Sequence, residues 1–171
     1  PADNLLGERG DGFTIAQKRL GPGRIHHVMR WLGQMQRAFD LMCAYSLERT
    51  AFGGPLADKG TIQTWIADSA AEIAACRLLT LDAAGKIDRG DPARVEVSAV
   101  KFFAARVLND VVDRAVQTHG ALGVSGDSPL SAMYLAARTA RIYDGPDEVH
   151  RMVVARRILE RYRSGDGWSF E

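Results

Sequence analysis

Three places in the 171-residue sequence hold residue types that could do chemistry. The first is Tyr143-Asp144-Gly145-Pro146-Asp147-Glu148. As plain structure it reads as a turn set by Gly and Pro, with acidic residues that complement the N-terminus of a following helix. Asp144, in a Gly-containing turn at the edge of a bundle, could equally serve as a general base. The second is Glu48-Arg49-Thr50-Ala51-Phe52-Gly53-Gly54-Pro55-Leu56, an arginine at a helix end beside a glycine-rich turn. Arg49 either complements the helix dipole or offers a fork to a phosphate that the glycines let approach the backbone. The third is the set of four histidines, His26, His27, His119 and His150. Neighbouring helical residues point to different faces, so His26 and His27 cannot chelate together as an i,i+4 pair would. Satisfied or exposed rings are expected at all four.

Other signatures are missing. The sequence has no Gly-x-Gly-x-x-Gly after a strand, no phosphate-loop lysine motif and no Ser/His/Asp set in a recognisable context. Cys43 and Cys76 sit in apolar helical stretches without metal-type spacing. They read as two buried thiols in a reducing cytosol, so a cytoplasmic location and no metal site are expected.

These residues must be positioned by helices. Hydrophobic residues make up 46% and charged residues 25%, enough for one domain with a real core. Twenty-two Lys and Arg against 21 Asp and Glu argue against a primary nucleic-acid binder, although Arg151, Arg156, Arg157, Arg161 and Arg163 crowd the last helix. No apolar run approaches the ~18 residues of a membrane span. The chain opens Pro1-Ala2-Asp3-Asn4, which reads as an interior cut.

Residues 1–20 read as an irregular lead-in, punctuated by Gly21-Pro22-Gly23. Ile25, Val28, Met29, Leu32, Met35, Phe39, Met42 and Cys43 then recur at three- and four-residue steps, an amphipathic helix stopping near Phe52-Gly53-Gly54-Pro55. A second helix follows Asp58, with Ile62, Trp65, Ile66, Ile73, Cys76 and Ile87 in phase and Thr80 as the polar member of the stripe. Asp91 as N-cap and Pro92 at the first position open a third, about Pro92 to Thr118. It is apolar nearly all round and should be packed on most faces. Its apolar surface exceeds what a lone bundle easily hides, which predicts self-association. Shorter helices are expected from Ser128-Pro129 to about Arg141 and from Glu148 to Tyr162. The expected fold is all-α: an antiparallel bundle over 21–163, three long helices and two shorter ones, with a loose tail at 164–171.

Taken in order, four segments resemble the acyl-CoA dehydrogenase family, over almost the whole chain. Asp3-Asn4-Leu5-Leu6-Gly7 with Gly10-Asp11-Gly12-Phe13 is similar to that family's exit from its middle β-domain into a C-terminal helical bundle. Arg49-Thr50-Ala51-Phe52-Gly53-Gly54-Pro55-Leu56 resembles its Arg-x-x-Phe-Gly-x-Pro-Leu signature, and Gln117-Thr118-His119-Gly120-Ala121-Leu122-Gly123 its Gln-x-x-Gly-Gly-x-Gly turn. Tyr143-Asp144-Gly145 stands where many members carry Tyr-Glu-Gly with the catalytic carboxylate. Asp-Gly-Pro-Asp-Glu-Val-His at 144–150, with Trp65-Ile66-Ala67-Asp68-Ser69 and Leu78-Leu79-Thr80-Leu81, is most similar to the branch containing family members ten and eleven.

The resemblance implies an FAD-dependent oxidoreductase of β-oxidation type, converting an acyl-CoA to a trans-2-enoyl-CoA and passing electrons to an electron-transfer flavoprotein. It implies Asp144 as the base, its pKa raised by burial beside an apolar substrate, and Arg24 near the reaction centre. Arg49, Phe52, Gln117, Gly120, Ala121 and Gly145 would meet the flavin cofactor, Arg49 at the pyrophosphate of a neighbouring subunit. A homodimer or homotetramer is implied, and the chain alone should be inactive without the β-domain. Asp144 is shorter than the usual glutamate by one carbon–carbon bond, ~1.5 Å. Pro146 replaces a common threonine, and Ala121 replaces the second glycine of its motif. The alternative is a noncatalytic helical oligomerisation module derived from the family.

Overall fold

In the computed structural model, residues 1–169 are described. The all-α expectation holds. Six helices are present among the described residues: α1 Gly12–Glu48, α2 Gly60–Asp88, α3 Arg94–His119, α4 Ala121–Val124, α5 Leu130–Thr139 and α6 Asp147–Ser164. The only strands among those residues, β1 Thr50–Ala51 and β2 Gly54–Pro55, pair as a small antiparallel hairpin after α1.

Side-chain pairs fix the helix directions. Trp31 lies against Lys101, and Tyr45 stacks on His119, so α1 and α3 run parallel. Arg114 binds Ser69 and Glu72 while Lys86 binds Glu96, so α2 runs antiparallel between them. Asn109 reaches the Ala137 carbonyl and Lys101 the Ala140 carbonyl, which sets α5 antiparallel to α3. The chain therefore goes up, down, up and down, with α3 in the middle.

Helix α3 is central because its sequence is apolar on nearly every side. Val97, Val100, Ala104, Ala105, Val107, Leu108, Val111, Val112 and Ala115 are all buried, packed with Val28, Trp31, Met35, Ala38 and Met42 of α1. Burying each Val or Leu contributes about 1.5–3 kcal/mol. Thr80 is also buried, and its hydroxyl donates to the Cys76 carbonyl at 2.6 Å. Gly123 is needed where it stands, since a Cβ there would lie 2.4 Å from the Val116 carbonyl oxygen.

Four expectations need correction. The lead-in is not irregular throughout: α1 begins at Gly12 and runs through Pro22. Proline removes one helical N–H, but the segment between the breakers, Ala16-Gln17-Lys18-Arg19-Leu20, is made of good helix formers. Nothing before Ile25 on α1 is buried, so this first part extends the packed helix and does not build the core. Second, α3 starts at Arg94, with Ala93 as cap in left-handed conformation (φ 45°). Asp91 acts one step earlier, accepting the Ala93 N–H at 2.7 Å. Third, α1, α2, α5 and α6 cover α3 within the chain, so α3 is not an unsatisfied apolar surface. Exposed large apolar residues lie elsewhere, on α2 (Leu78, Leu81), α5 (Leu135) and α6 (Leu159, Tyr162). Fourth, the tail begins later, because α6 continues to Ser164. Residues 166–169 are neither helix nor strand, and 170–171 lie outside the described residues.

Candidate functional site

The Tyr143–Glu148 turn links α5 to α6, and it is held from several sides. Asp144 has φ 53° and Gly145 φ 102°. A left-handed non-glycine residue costs roughly 1 kcal/mol or more and persists only when its surroundings enforce it. The enforcement is visible here. Lys101, fully buried on α3, donates to the carbonyls of Ala140 (2.9 Å) and Gly145 (2.6 Å). Arg24 Nε donates to the Asp144 carbonyl at 3.0 Å, and His150 Nε2 reaches the same oxygen at 3.2 Å. Gly145 is required, because a Cβ would sit 2.8 Å from His150 Nε2.

Beneath the turn lie further buried charges. Asp147, 1% exposed, accepts Arg141 Nε at 2.7 Å, with Arg151 at 3.9 Å. Its Oδ1 and the Nδ1 of His150 are buried without a partner. A carbonyl can only accept, so His150 must carry its proton on Nε2, which leaves Nδ1 as the bare nitrogen. Burial pushes the His150 pKa down, in keeping with a neutral ring. Burial also lowers the Lys101 and Arg24 pKa values, opposed by Asp147 and Asp144 respectively.

The side chain of Asp144 points to α1. Its Oδ2 lies 2.6 Å from His27 Nε2, the two side chains being 19% and 16% exposed. Arg30 contacts the other ring nitrogen of His27, Nδ1. The imidazole packs edge-on to Tyr143 (5.0 Å) and along Trp31 (6.1 Å), and the Trp31 indole N–H donates to the Tyr143 hydroxyl at 2.8 Å. A cleft of about 530 Å³ opens beside this group, lined by Arg19, Pro22, Gly23, His26, His27 and Arg30.

The structure therefore brings Asp144, Gly145 and Arg24 together, and adds His27. The remaining expected site residues lie at the other end of the bundle. Arg49 caps the end of α1, and Phe52 tops the hairpin with 95% of its surface exposed and φ 52°. Gln117, Gly120 and Ala121 form the exposed turn from α3 to α4, tied to α1 by the Tyr45–His119 stack at 4.2 Å. From Lys101 to Gln117 is ~24 Å along α3 at 1.5 Å per residue. Gly145 belongs spatially with the carboxylate, not with this second group.

The family model for the acyl-CoA dehydrogenase C-terminal domain matches residues 10–159. The chain belongs to the acyl-CoA dehydrogenase family. It is 54% identical over 166 residues to the probable acyl-CoA dehydrogenase FadE2 of Mycobacterium tuberculosis, covering 96% of this chain and 41% of that protein. It is 46% identical to acyl-CoA dehydrogenase family member 11 of Rattus norvegicus, covering 94% of this chain and 21% of that one. Butyryl-CoA dehydrogenase from Megasphaera elsdenii superposes with a TM-score of 0.86 at 36% identity, over 93% of this chain and 42% of the other. The chain thus spans less than half the length of these acyl-CoA dehydrogenases.

The second group fits a flavin dinucleotide. Among the described residues, neither the Arg49 guanidinium nor the Gln117 carboxamide has a partner within the chain, and the Phe52 ring stands in solvent on a strained backbone. A free guanidinium suits a pyrophosphate, a free amide a polar edge, and an exposed ring a flat heterocycle.

Sequence reasoning passed over two residues. His27 was grouped with the other histidines, although it lies three residues after Arg24 and so shares its helix face. Lys101 sits in an apolar run, a position where a lysine must find buried acceptors. His26 and His119 meet the expectation, His26 being exposed and His119 Nδ1 bonding the Ala115 carbonyl at 2.8 Å, whereas the buried Nδ1 of His150 has no partner among the described residues. Cys43 and Cys76 are free thiols, and burial pushes the Cys76 pKa up to about 12. No metal-ligand cluster exists among the described residues, and no helix there is long and apolar enough to cross a membrane.

Proposed function

We propose that this chain supplies the base and part of the cofactor contact surface of an FAD-dependent acyl-CoA dehydrogenase that forms trans-2-enoyl-CoA. One observation carries the reading: the Asp144 carboxylate is held on an enforced left-handed turn, with one oxygen bound by His27 and the other without a partner among the described residues. In the proposed reaction Asp144 takes a proton from the carbon next to the thioester carbonyl. Bound flavin supplies the hydride acceptor for the neighbouring carbon. Arg24, on the Asp144 carbonyl, fixes the backbone from which the carboxylate works. Proton and hydride transfer together remove two hydrogens from the acyl chain, and product analysis tests this: mass spectrometry should show that loss, and comigration with authentic trans-2-enoyl-CoA should show the geometry.

The ~24 Å separation of the two groups supports their serving different sites of one oligomer. Arg49, Phe52, Gln117, Gly120 and Ala121 would contact the flavin nucleotide of a neighbouring subunit, while Gly145 shapes the turn at its own. A homodimer or homotetramer follows, with the exposed apolar residues of α2, α5 and α6 available for the interfaces. An electron-transfer flavoprotein is the proposed electron acceptor, and the two free thiols suit a reducing compartment such as the cytoplasm. Without the β-domain this chain should be inactive.

Arg49→Ala tests the cofactor surface. Losing a charge-assisted contact to a phosphate removes about 1.5–3 kcal/mol, roughly 10–100-fold in FAD affinity. Arg49 caps α1 through its backbone N–H, which alanine keeps, so the unfolding midpoint should hardly change. A variant that retains full flavin after dialysis would remove Arg49 from the site.

A further inference from the structure

The geometry points to His27 as the positioning residue of Asp144: an imidazole whose Nε2–H holds one carboxylate oxygen, leaving the other for the substrate proton. The inference rests on the proposed role of Asp144 as base.

Its first support is the pair itself, at 2.6 Å between His27 Nε2 and Asp144 Oδ2. The second is the direction of that bond. A carboxylate that acts as a base only accepts, so the bond between the two must be donated by His27 Nε2. The third support is rigidity. Tyr143 and Trp31 clamp the imidazole, and their own hydrogen bond at 2.8 Å fixes the clamp.

Asp144 carries one methylene fewer than the family's usual glutamate and so has one fewer torsion to aim its carboxylate. A rigid donor on Oδ2 sets the two that remain. The imidazole does not relay the proton onward, because its Nε2 is already protonated.

Other charges face this pair. Arg24 and Arg30 approach along α1, and Lys101 from α3 has its Nζ 5.9 Å from the Trp31 ring. Asp147, Glu148 and His150 stand at the start of α6. Only His27 bonds the Asp144 side chain among the described residues. The others act on its backbone or at longer range, so a change at His27 should be separable from them.

The test compares His27→Phe and His27→Gln in the full-length flavoprotein, measuring kcat and KM separately with an acyl-CoA that the wild type oxidises. Phenylalanine keeps a flat ring between Trp31 and Tyr143 but offers no donor. It should lower kcat about 10–100-fold with KM little changed, the size of a hydrogen bond to a charged acceptor. Glutamine offers an amide N–H at similar reach and should restore most of the rate. If His27→Phe does not fold, His27→Met, apolar and more adaptable, carries the same expectation. An unchanged kcat in the apolar variant, or a glutamine variant no better than it, overturns the role of His27. Asp144→Asn run in parallel separates the two ideas: if it retains turnover, the base assignment fails, whatever His27 does.

Discussion

Asp144→Asn in the flavin-loaded protein is expected to slow substrate-driven flavin reduction by about 10²–10⁴-fold, the usual contribution of a positioned acid or base. The substitution nearly preserves shape and keeps an oxygen toward His27, so the turn should survive. Its backbone is fixed independently of the carboxylate, by Lys101 on Gly145 and by Arg24 and His150 on the Asp144 carbonyl. Asparagine also tolerates the left-handed backbone that residue 144 adopts at φ 53°. Flavin content and acyl-CoA binding should therefore stay near wild type while the chemical step collapses. Stopped-flow reduction at saturating acyl-CoA measures this directly. A rate within threefold of wild type would leave the carboxylate with a structural role only.

Lys101→Met should produce the largest loss of stability. The ammonium is fully buried and donates to the Ala140 and Gly145 carbonyls. Methionine has similar length and packs well, so the change leaves little void, but it strands two acceptors. Each stranded buried acceptor costs about 1–3 kcal/mol, and Asp147 loses a nearby positive charge as well. A combined loss of about 3 kcal/mol is expected, read as a shift in the midpoint of denaturant unfolding. Arginine should not rescue it, because the planar fork cannot replace a compact ammonium between two carbonyls. A variant as stable as wild type would mean that the turn is held by Arg24 and His150 alone.

The sequence was informative where one interaction dominated. The apolar periodicity of α1 and α2 and the all-round apolar character of α3 placed the three long helices, because burial decides such segments. Helix ends were harder. Gly21-Pro22-Gly23 looked like a break, yet α1 crosses it, since a helix anchored from Ile25 onward can extend through breakers in solvent. Asp91 looked like a cap and proved to be one residue pair too early, with Ala93 taking the left-handed position.

The site was half legible. Asp144 and Arg24 could be matched to a motif, but their contact spans 120 residues of chain, and no local pattern encodes it. His27 could be found only by asking which residue shares a face with Arg24. Lys101 needed the reverse question, namely what a charge inside an apolar helix could be holding. The apolar sides of α3 are satisfied within the chain, so exposed leucines on α2, α5 and α6 are the apolar surface available for self-association.

The proposed function has this bundle presenting Asp144 to an acyl-CoA beside a flavin. The direct measurement is the visible absorbance of the full-length protein, loaded with FAD and mixed without oxygen with acyl-CoAs of increasing chain length. Bleaching of the flavin band by at least one acyl-CoA, with the matching enoyl-CoA recovered, is the expected result. A flavin-loaded protein that no acyl-CoA bleaches, or one that cannot take up FAD, would contradict it and favour a noncatalytic oligomerisation module.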